Sequence, residues 1–95
     1  MSDIYDVVLT KRAERNLEKV PKHIVRKLQS WIDSVEYSGL NAVKNISGYH
    51  NEPLKGERLG QWSIRLSKAY RAIYVIHQND NVEIIKIMEV NKHDY

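Results

Sequence analysis

The spacing of hydrophobic residues changes twice along the chain. Tyr5, Val7 and Leu9 alternate with their neighbours, which predicts a short first strand. Over residues 10–38 the apolar positions recur every three or four residues, as they do in amphipathic helices. From residue 62 onward they alternate again, so the chain is predicted to return to strands.

The helical stretch is predicted to form a hairpin of two helices. Thr10 is the expected N-cap of the first helix. Pro21 suits the first position of the second helix, where no backbone N–H is required, and Gly39 suits its end. The second helix has the clearest apolar stripe in the chain, formed by Ile24, Val25, Leu28, Trp31, Ile32 and Val35.

The second half of the chain is predicted to be mainly strand. After one or two helical turns near residues 40–46, glycines and a proline indicate a loop up to residue 60. Trp62, Ile64 and Leu66 share one face of a strand, and Arg65 lies on the other. Two further strands are expected over residues 70–76 and 82–90, with a turn at residues 78–81 between them.

This order of elements predicts the α+β class in a single domain of residues 1–95. The last three strands would form an antiparallel meander that follows the N-terminal strand and the helical hairpin. The helices would cover one face of the sheet, and strand 82–90 would sit centrally. Arg65 would point to the other face, which is open or partly filled by the loop around residue 50.

Composition restricts the classes of function. Cysteine is absent, which excludes disulfides and zinc–thiolate sites and is compatible with the reducing cytoplasm. Apolar runs are short and the N-terminus has no secretory pattern, so neither a membrane span nor export is expected. The net charge of +3 is unevenly distributed, because residues 11–27 carry seven cations against two carboxylates.

The basic segment predicts contact with a polyanion or an acidic protein, although a solvated helix face would have the same composition. Its cations are Lys11, Arg12, Arg15, Lys19, Lys22, Arg26 and Lys27.

The end of the chain, Lys92-His93-Asp94-Tyr95, places three proton-handling groups directly after a predicted strand. RNA cleavage without a metal needs a base for the 2′-OH, an acid for the 5′ oxygen, and positive charge for the phosphorane. His93 is the candidate acid. The candidate bases are Glu52, Asp94 and Tyr95, and the candidate cations are Arg65, Arg71 and Lys55. Each of these residues also has an ordinary interpretation as a surface or packing residue.

No H-x-x-x-H spacing or glycine-rich phosphate loop is present, so no metal or cofactor is predicted. His23, His50 and His77 lack neighbours of matching chemistry and are interpreted as structural or solvated.

Four segments carry a resemblance to a known family. They are Glu52-Pro53-Leu54-Lys55, Trp62-Ser63-Ile64-Arg65, Tyr70-Arg71-Ala72-Ile73-Tyr74 and Lys92-His93-Asp94-Tyr95. In this order and spacing they resemble the RelE/ParE superfamily of bacterial toxins, especially its YoeB and HigB types. The resemblance implies a fold like that of microbial ribonucleases, mRNA cleavage in the ribosomal A site, and neutralisation by a cognate antitoxin.

The resemblance also implies roles for single residues. Glu52 matches a glutamate proposed as general base, and Arg71 matches an arginine that holds the scissile phosphate. His93 and Tyr95 match a C-terminal pair that is adjacent in the YoeB type, whereas Asp94 separates them here. The basic helices would meet 16S or 23S rRNA phosphates. Two other functions stay open: a ParE-type inhibitor of DNA gyrase, and a non-catalytic module that binds RNA or protein.

Overall fold

The structure is a computed structural model that describes residues 3–92. Its helices and strands are β1 (Val7–Leu9), α1 (Lys11–Leu17), α2 (Lys22–Ser38), α3 (Leu40–Val43), β2 (Glu52–Pro53), β3 (Trp62–Arg65), β4 (Tyr70–Asn79) and β5 (Val82–Lys92). Two short 3₁₀ turns, Ser47–Tyr49 and Gly56–Arg58, flank β2. The α+β class and the order of the predicted elements are confirmed.

The strands form one sheet in the order β1-β5-β4-β3-β2. β1 runs parallel to β5, and all other neighbours are antiparallel, so the predicted meander of β3, β4 and β5 is present. β5 has a neighbour on both sides, as its apolar composition indicated. The two-residue strand β2 was not predicted, and it adds an edge strand beside β3.

β4 and β5 are longer than the sequence pattern predicted. They remain paired up to Asn79 and Val82, so only Asp80 and Asn81 form the turn, and Asp80 has the left-handed φ of 55°. At its other end β5 continues to Lys92, opposite Tyr70. The polar residues at the tip concealed this extension, because exposed strand ends need no apolar side chains.

Helix α1 and its N-cap bind backbone groups of β5 beyond the short segment that pairs with β1. Thr10 Oγ1 accepts a hydrogen bond from Ala13 N at 3.0 Å, as expected of an N-cap, and donates to Met88 O at 2.9 Å. Farther along, Asn16 Oδ1 accepts from Val90 N at 3.0 Å. The helix therefore satisfies backbone groups of β5 that would otherwise lack a partner.

Helix α2 begins at Lys22, so Pro21 is its N-cap and not its first residue as predicted. The difference is one position, where helix boundaries are least defined. Gly39 ends the helix with φ of 89°, and a side chain there would collide with the Asp3 carboxylate. That carboxylate accepts from Asn41 N at 3.0 Å in the next helix.

The core lies between the helices and one face of the sheet. Its largest fully buried side chains include Trp31, Tyr74, Ile64 and Ile87. The rings of Trp31 and Tyr74 lie 5.4 Å apart, which fixes α2 against the middle strand β4. No helix within residues 3–92 is long and apolar enough to cross a membrane.

Candidate active site

A small cleft of about 80 Å³ opens where β2, β3 and β4 meet. The charged and aromatic residues that line it are His50, Glu52, Arg65, Lys68, Tyr70 and Arg71. Ser63 and Ser67 also line it, the first from β3 and the second from the turn that leads into β4. Both charge signs and several hydroxyl groups therefore meet in one cleft.

Strand pairing arranges the polar residues in two adjacent rows across the sheet. Residues directly opposite each other on neighbouring strands share a face. The carboxylate row is Glu52, Ser63, Ile73 and Glu89. The arginine row is Arg65, Arg71 and Asn91. Two residues along a strand separate the rows, about 7 Å at the usual rise of a strand.

Arg65 and Arg71 stand directly opposite each other in the arginine row. Like charges in this arrangement repel and destabilise a sheet. Among residues 3–92, no carboxylate lies within 4.0 Å of either guanidinium. A phosphate group would remove this repulsion, because guanidinium groups pair with phosphate oxygens through two parallel hydrogen bonds.

A chain of polar contacts orients Arg71. Its Nε donates to Asn91 Oδ1 at 3.4 Å, and Asn91 Nδ2 donates to Glu89 Oε1. Glu89 is buried and also contacts Arg58 at 3.3 Å and Arg12 at 3.5 Å. Because Glu89 binds the amide nitrogen of Asn91, the amide oxygen faces Arg71. The chain thus links helix α1 to the arginine row.

Glu52 is held by edge-strand pairing. It lies opposite Ser63, is exposed, and precedes Pro53, which has no N–H to contribute to a further neighbour. Glu52 lines the same cleft as the two arginines. The cleft therefore combines an acceptor for a proton with a pair of cations for an anion.

The structure brings together three of the catalytic residues predicted from the sequence, Glu52, Arg65 and Arg71. Lys55 is exposed at the start of the second 3₁₀ turn and does not line the cleft. His93, Asp94 and Tyr95 lie outside the described residues. Their roles, and that of Lys55, stay predictions.

Sequence reasoning missed His50, Lys68 and Tyr70 as residues of the cleft. Lys68 and Tyr70 follow Arg65 across the turn, and this proximity in sequence was an available signal. His50 had a weaker signal, its position two residues before Glu52. Between Asp3 and Lys92, no group of three or more His, Cys, Asp or Glu side chains is arranged to hold a metal ion.

The seven cations of the basic segment are all exposed on or next to α1 and α2. Two of them also have intramolecular partners. Lys27 Nζ lies 4.7 Å from the centre of the Tyr49 ring, and Arg12 contacts Glu89. The basic segment is therefore accessible to a polyanion, and through Arg12 it contacts the carboxylate that orients Asn91.

Comparison with protein-family models gives one match that spans most of the chain. Residues 7–93 match the model described as ParE toxin of type II toxin–antitoxin system, parDE. A comparison with curated proteins finds no match.

Solved structures with the same fold include several toxins. A YoeB/ParE toxin from Agrobacterium tumefaciens superposes with a TM-score of 0.70 at 20% identity, over 94% of this chain and 99% of the other. The RelBE2 toxin–antitoxin complex of Mycobacterium tuberculosis gives 0.63 at 26% identity, over 94% and 98%. YafQ from E. coli gives 0.71 at 13% identity, over 93% and 92%.

Proposed function

Because the chain belongs to the ParE toxin family of type II toxin–antitoxin systems, we propose that it is a toxin that inhibits translation by cleaving mRNA on the ribosome. The resemblance to the RelE/ParE superfamily found in the sequence agrees with this membership. Solved structures of the same fold include a YoeB/ParE toxin and YafQ. The chain shares its fold with these structures, and its family follows from the match to the family model. The ribonuclease activity is inferred from the cleft.

The observation that carries the proposal is the directly opposed pair Arg65 and Arg71 with Glu52 one row away. A scissile phosphate between the guanidinium groups would relieve their repulsion and receive charge stabilisation as the phosphorane forms. Glu52 would take the proton of the 2′-OH, and O2′ would attack phosphorus while the bond from phosphorus to O5′ breaks. The products would be a 2′,3′-cyclic phosphate and a 5′-OH.

Lys55 and the last three residues of the sequence take further roles in this proposal. Lys55 would approach the RNA backbone as an auxiliary cation. Tyr95 is the other candidate base and His93 the acid predicted from the sequence, with Asp94 beside them. The basic segment would bind rRNA phosphates near the A site, because seven exposed cations match the charge of a nucleic-acid backbone.

A cognate antitoxin is the expected protein partner. Relatives of the same fold were solved as toxin–antitoxin complexes, among them RelBE2 and YoeB–YefM from Staphylococcus aureus. An antitoxin segment that is acidic or amphipathic and folds on binding would cover the basic segment or the open face of the sheet. Either position would keep the toxin from RNA.

The test is expression in bacteria that lack the antitoxin, followed by primer extension on a translated mRNA. Wild type should arrest growth and produce in-frame cuts, and Arg71→Ala should abolish both. Lys44→Ala, an exposed cation away from the cleft, serves as the control. The same assay with purified ribosomes and with free RNA reports whether cleavage needs the ribosome. Intact mRNA during growth arrest by wild type would overturn the ribonuclease proposal.

The family match favours a second function. The matching model is that of the ParE toxin of parDE systems. A ParE-type toxin would arrest growth by inhibiting DNA gyrase and would induce the DNA-damage response while mRNA stays intact. The opposed arginines and Glu52 would then have no phosphate to cleave. Measuring mRNA cuts and the DNA-damage response in one culture separates the two functions.

A further inference from the structure

We propose that His50 supplies the acid of this cleft by donating a proton to the leaving 5′ oxygen of the RNA. The inference rests on the proposed ribonuclease function and adds a catalytic residue to it. The starting observation is that His50 lines the same cleft as Glu52, Arg65 and Arg71. His23 and His77, the other histidines between residues 3 and 92, are exposed and do not line it.

The backbone of His50 has a conformation that residues other than glycine rarely adopt. Its φ of 46° and ψ of 53° lie in the left-handed region, directly after the 3₁₀ turn Ser47–Tyr49. Such a conformation costs free energy for residues other than glycine, and it persists only where the surroundings hold it. Histidine tolerates it better than most residues. A strained residue beside a charged cleft is typical of a functional position.

Both neighbours of His50 are fixed to the core. Tyr49 is 7% exposed and packs in the hydrophobic cluster, with Lys27 over its ring. Asn51 Oδ1 accepts a hydrogen bond of 2.8 Å from the hydroxyl of the buried Tyr74. The segment cannot relax without moving one of these two side chains. His50 is therefore held at the cleft between two anchored residues.

The direction of Asn51 also explains why His50 and Glu52 line one cleft. Asn51 turns its amide toward Tyr74 in the core. The residues before and after it, His50 and Glu52, are exposed and face the cleft. One short segment thus presents an imidazole and a carboxylate together, the two group types that acid–base cleavage of RNA uses.

The proposed proton transfers balance over the reaction. Glu52 takes the proton from the 2′-OH, and the bond from O2′ to phosphorus forms. The bond from phosphorus to O5′ breaks, and the imidazolium of His50 gives its proton to O5′. Glu52 ends protonated and His50 neutral, and exchange with water restores both. Arg65, Arg71 and Lys68 are the other charged groups that line the cleft, and the arginines would stabilise the charge on the phosphorane.

The experiment uses the full chain, ribosomes programmed with mRNA, and two substrates. One is ordinary RNA, and the other carries sulfur in place of O5′ at the cleaved bond. A thiolate leaves without being protonated, so the second substrate needs no acid. The variant is His50→Asn, because asparagine accepts the left-handed backbone and preserves the fold. The control is His77→Asn, an exposed histidine of β4 outside the cleft.

We expect His50→Asn to cleave ordinary RNA about 100-fold or more slowly and the sulfur substrate at close to the wild-type rate. Glu52→Gln should be slow on both substrates, and His77→Asn normal on both. Equal slowing of His50→Asn on the two substrates, or no slowing, would overturn the role of His50. If His93→Asn, and not His50→Asn, cleaves ordinary RNA slowly and the sulfur substrate at close to the wild-type rate, the acid is His93. If wild type cleaves neither substrate, the ribonuclease proposal itself fails, and the role of His50 fails with it.

Discussion

Replacement of Arg65 by glutamine should stabilise the free toxin and impair its activity at the same time. Arg65 is exposed, and it has no ion pair with any residue from Asp3 to Lys92. Its neighbour across the strands is the cation Arg71. Removing one charge of this pair therefore removes repulsion and sacrifices no described ion pair. Arg71 is less suitable for the test, because its Nε contacts Asn91.

The size of the effect follows from the distance between the charges. Directly opposite residues have Cα atoms about 5 Å apart. If both arginine side chains are extended, their guanidinium groups lie about 6 Å apart. At that distance two charges in water repel by about 0.7 kcal/mol. Salt at 0.1 M has a Debye length of about 10 Å and reduces this value to about 0.4 kcal/mol. For a chain of 95 residues, a gain of this order raises Tm by about 2–4 °C.

The assay is thermal and denaturant unfolding of wild type and Arg65→Gln at low and high salt. The difference should be largest at low salt and vanish near 1 M, where the Debye length falls to about 3 Å. Sulfate, as a stand-in for phosphate, should stabilise wild type more than the variant. Lys44→Gln changes the net charge equally and should show neither effect. A less stable Arg65→Gln at low salt would refute the reasoning, because the opposed arginines would then not repel.

Three further predictions concern other parts of the molecule. Glu89→Gln should lower the free energy of unfolding by about 1–3 kcal/mol, since a buried carboxylate with polar partners is replaced by a neutral amide; Glu83→Gln, exposed on the same strand, should not change it in denaturant titrations. Burial raises the pKa of Tyr74 to about 12 against an opposing contribution from Asn51, so its stabilising contribution is complete below pH 10 and is lost as pH rises toward 12, by about 1.4 kcal/mol per pH unit. Unfolding titrations with guanidinium chloride between pH 9 and 11.5 should show this decline reduced in Tyr74→Phe and retained in Tyr37→Phe, since Tyr37 is 90% exposed; equal declines in all three proteins would contradict the assignment. The double variant Lys22→Gln/Arg26→Gln should lower the slope of log affinity for ribosomes against log salt by up to about 2, and an unchanged slope would place the rRNA contacts elsewhere.

Elements with a regular pattern were predictable from the sequence, and elements without one were not. The stripe along α2 and the alternation from Trp62 to Leu66 each repeat often enough to specify an element and its buried face. Strand β2 has two residues, Glu52 and Pro53, and no period can be seen in so few. Its pairing with β3 depends on the completed sheet, which lies beyond local sequence.

The same distinction applies to the cleft. The position of Arg65 followed from alternation, and the resemblance to a toxin superfamily indicated Arg71 and Glu52. Nothing local indicated that Glu89 is buried, because its partners Arg58 and Arg12 are 31 and 77 positions away. His50 was missed for a related reason, since the other residues of its cleft include residues in the range 63–71 of β3, β4 and the turn between them, which are distant in the sequence.

The two halves of the candidate site are held in different ways. Arg65 and Arg71 flank the short turn of residues 66–69, where Ser67 accepts backbone hydrogen bonds from Ala69 and Tyr70, so a local element sets their separation. The position of Glu52 depends on the two residue pairs that join β2 to β3 at the edge of the sheet. An edge strand this short contributes little pairing energy of its own, and the hydrogen bond from Tyr74 to Asn51 stabilises it from within. Tyr74 therefore contributes to the site as well as to the core, because it fixes Asn51 in the segment that carries both the proposed base and the proposed acid.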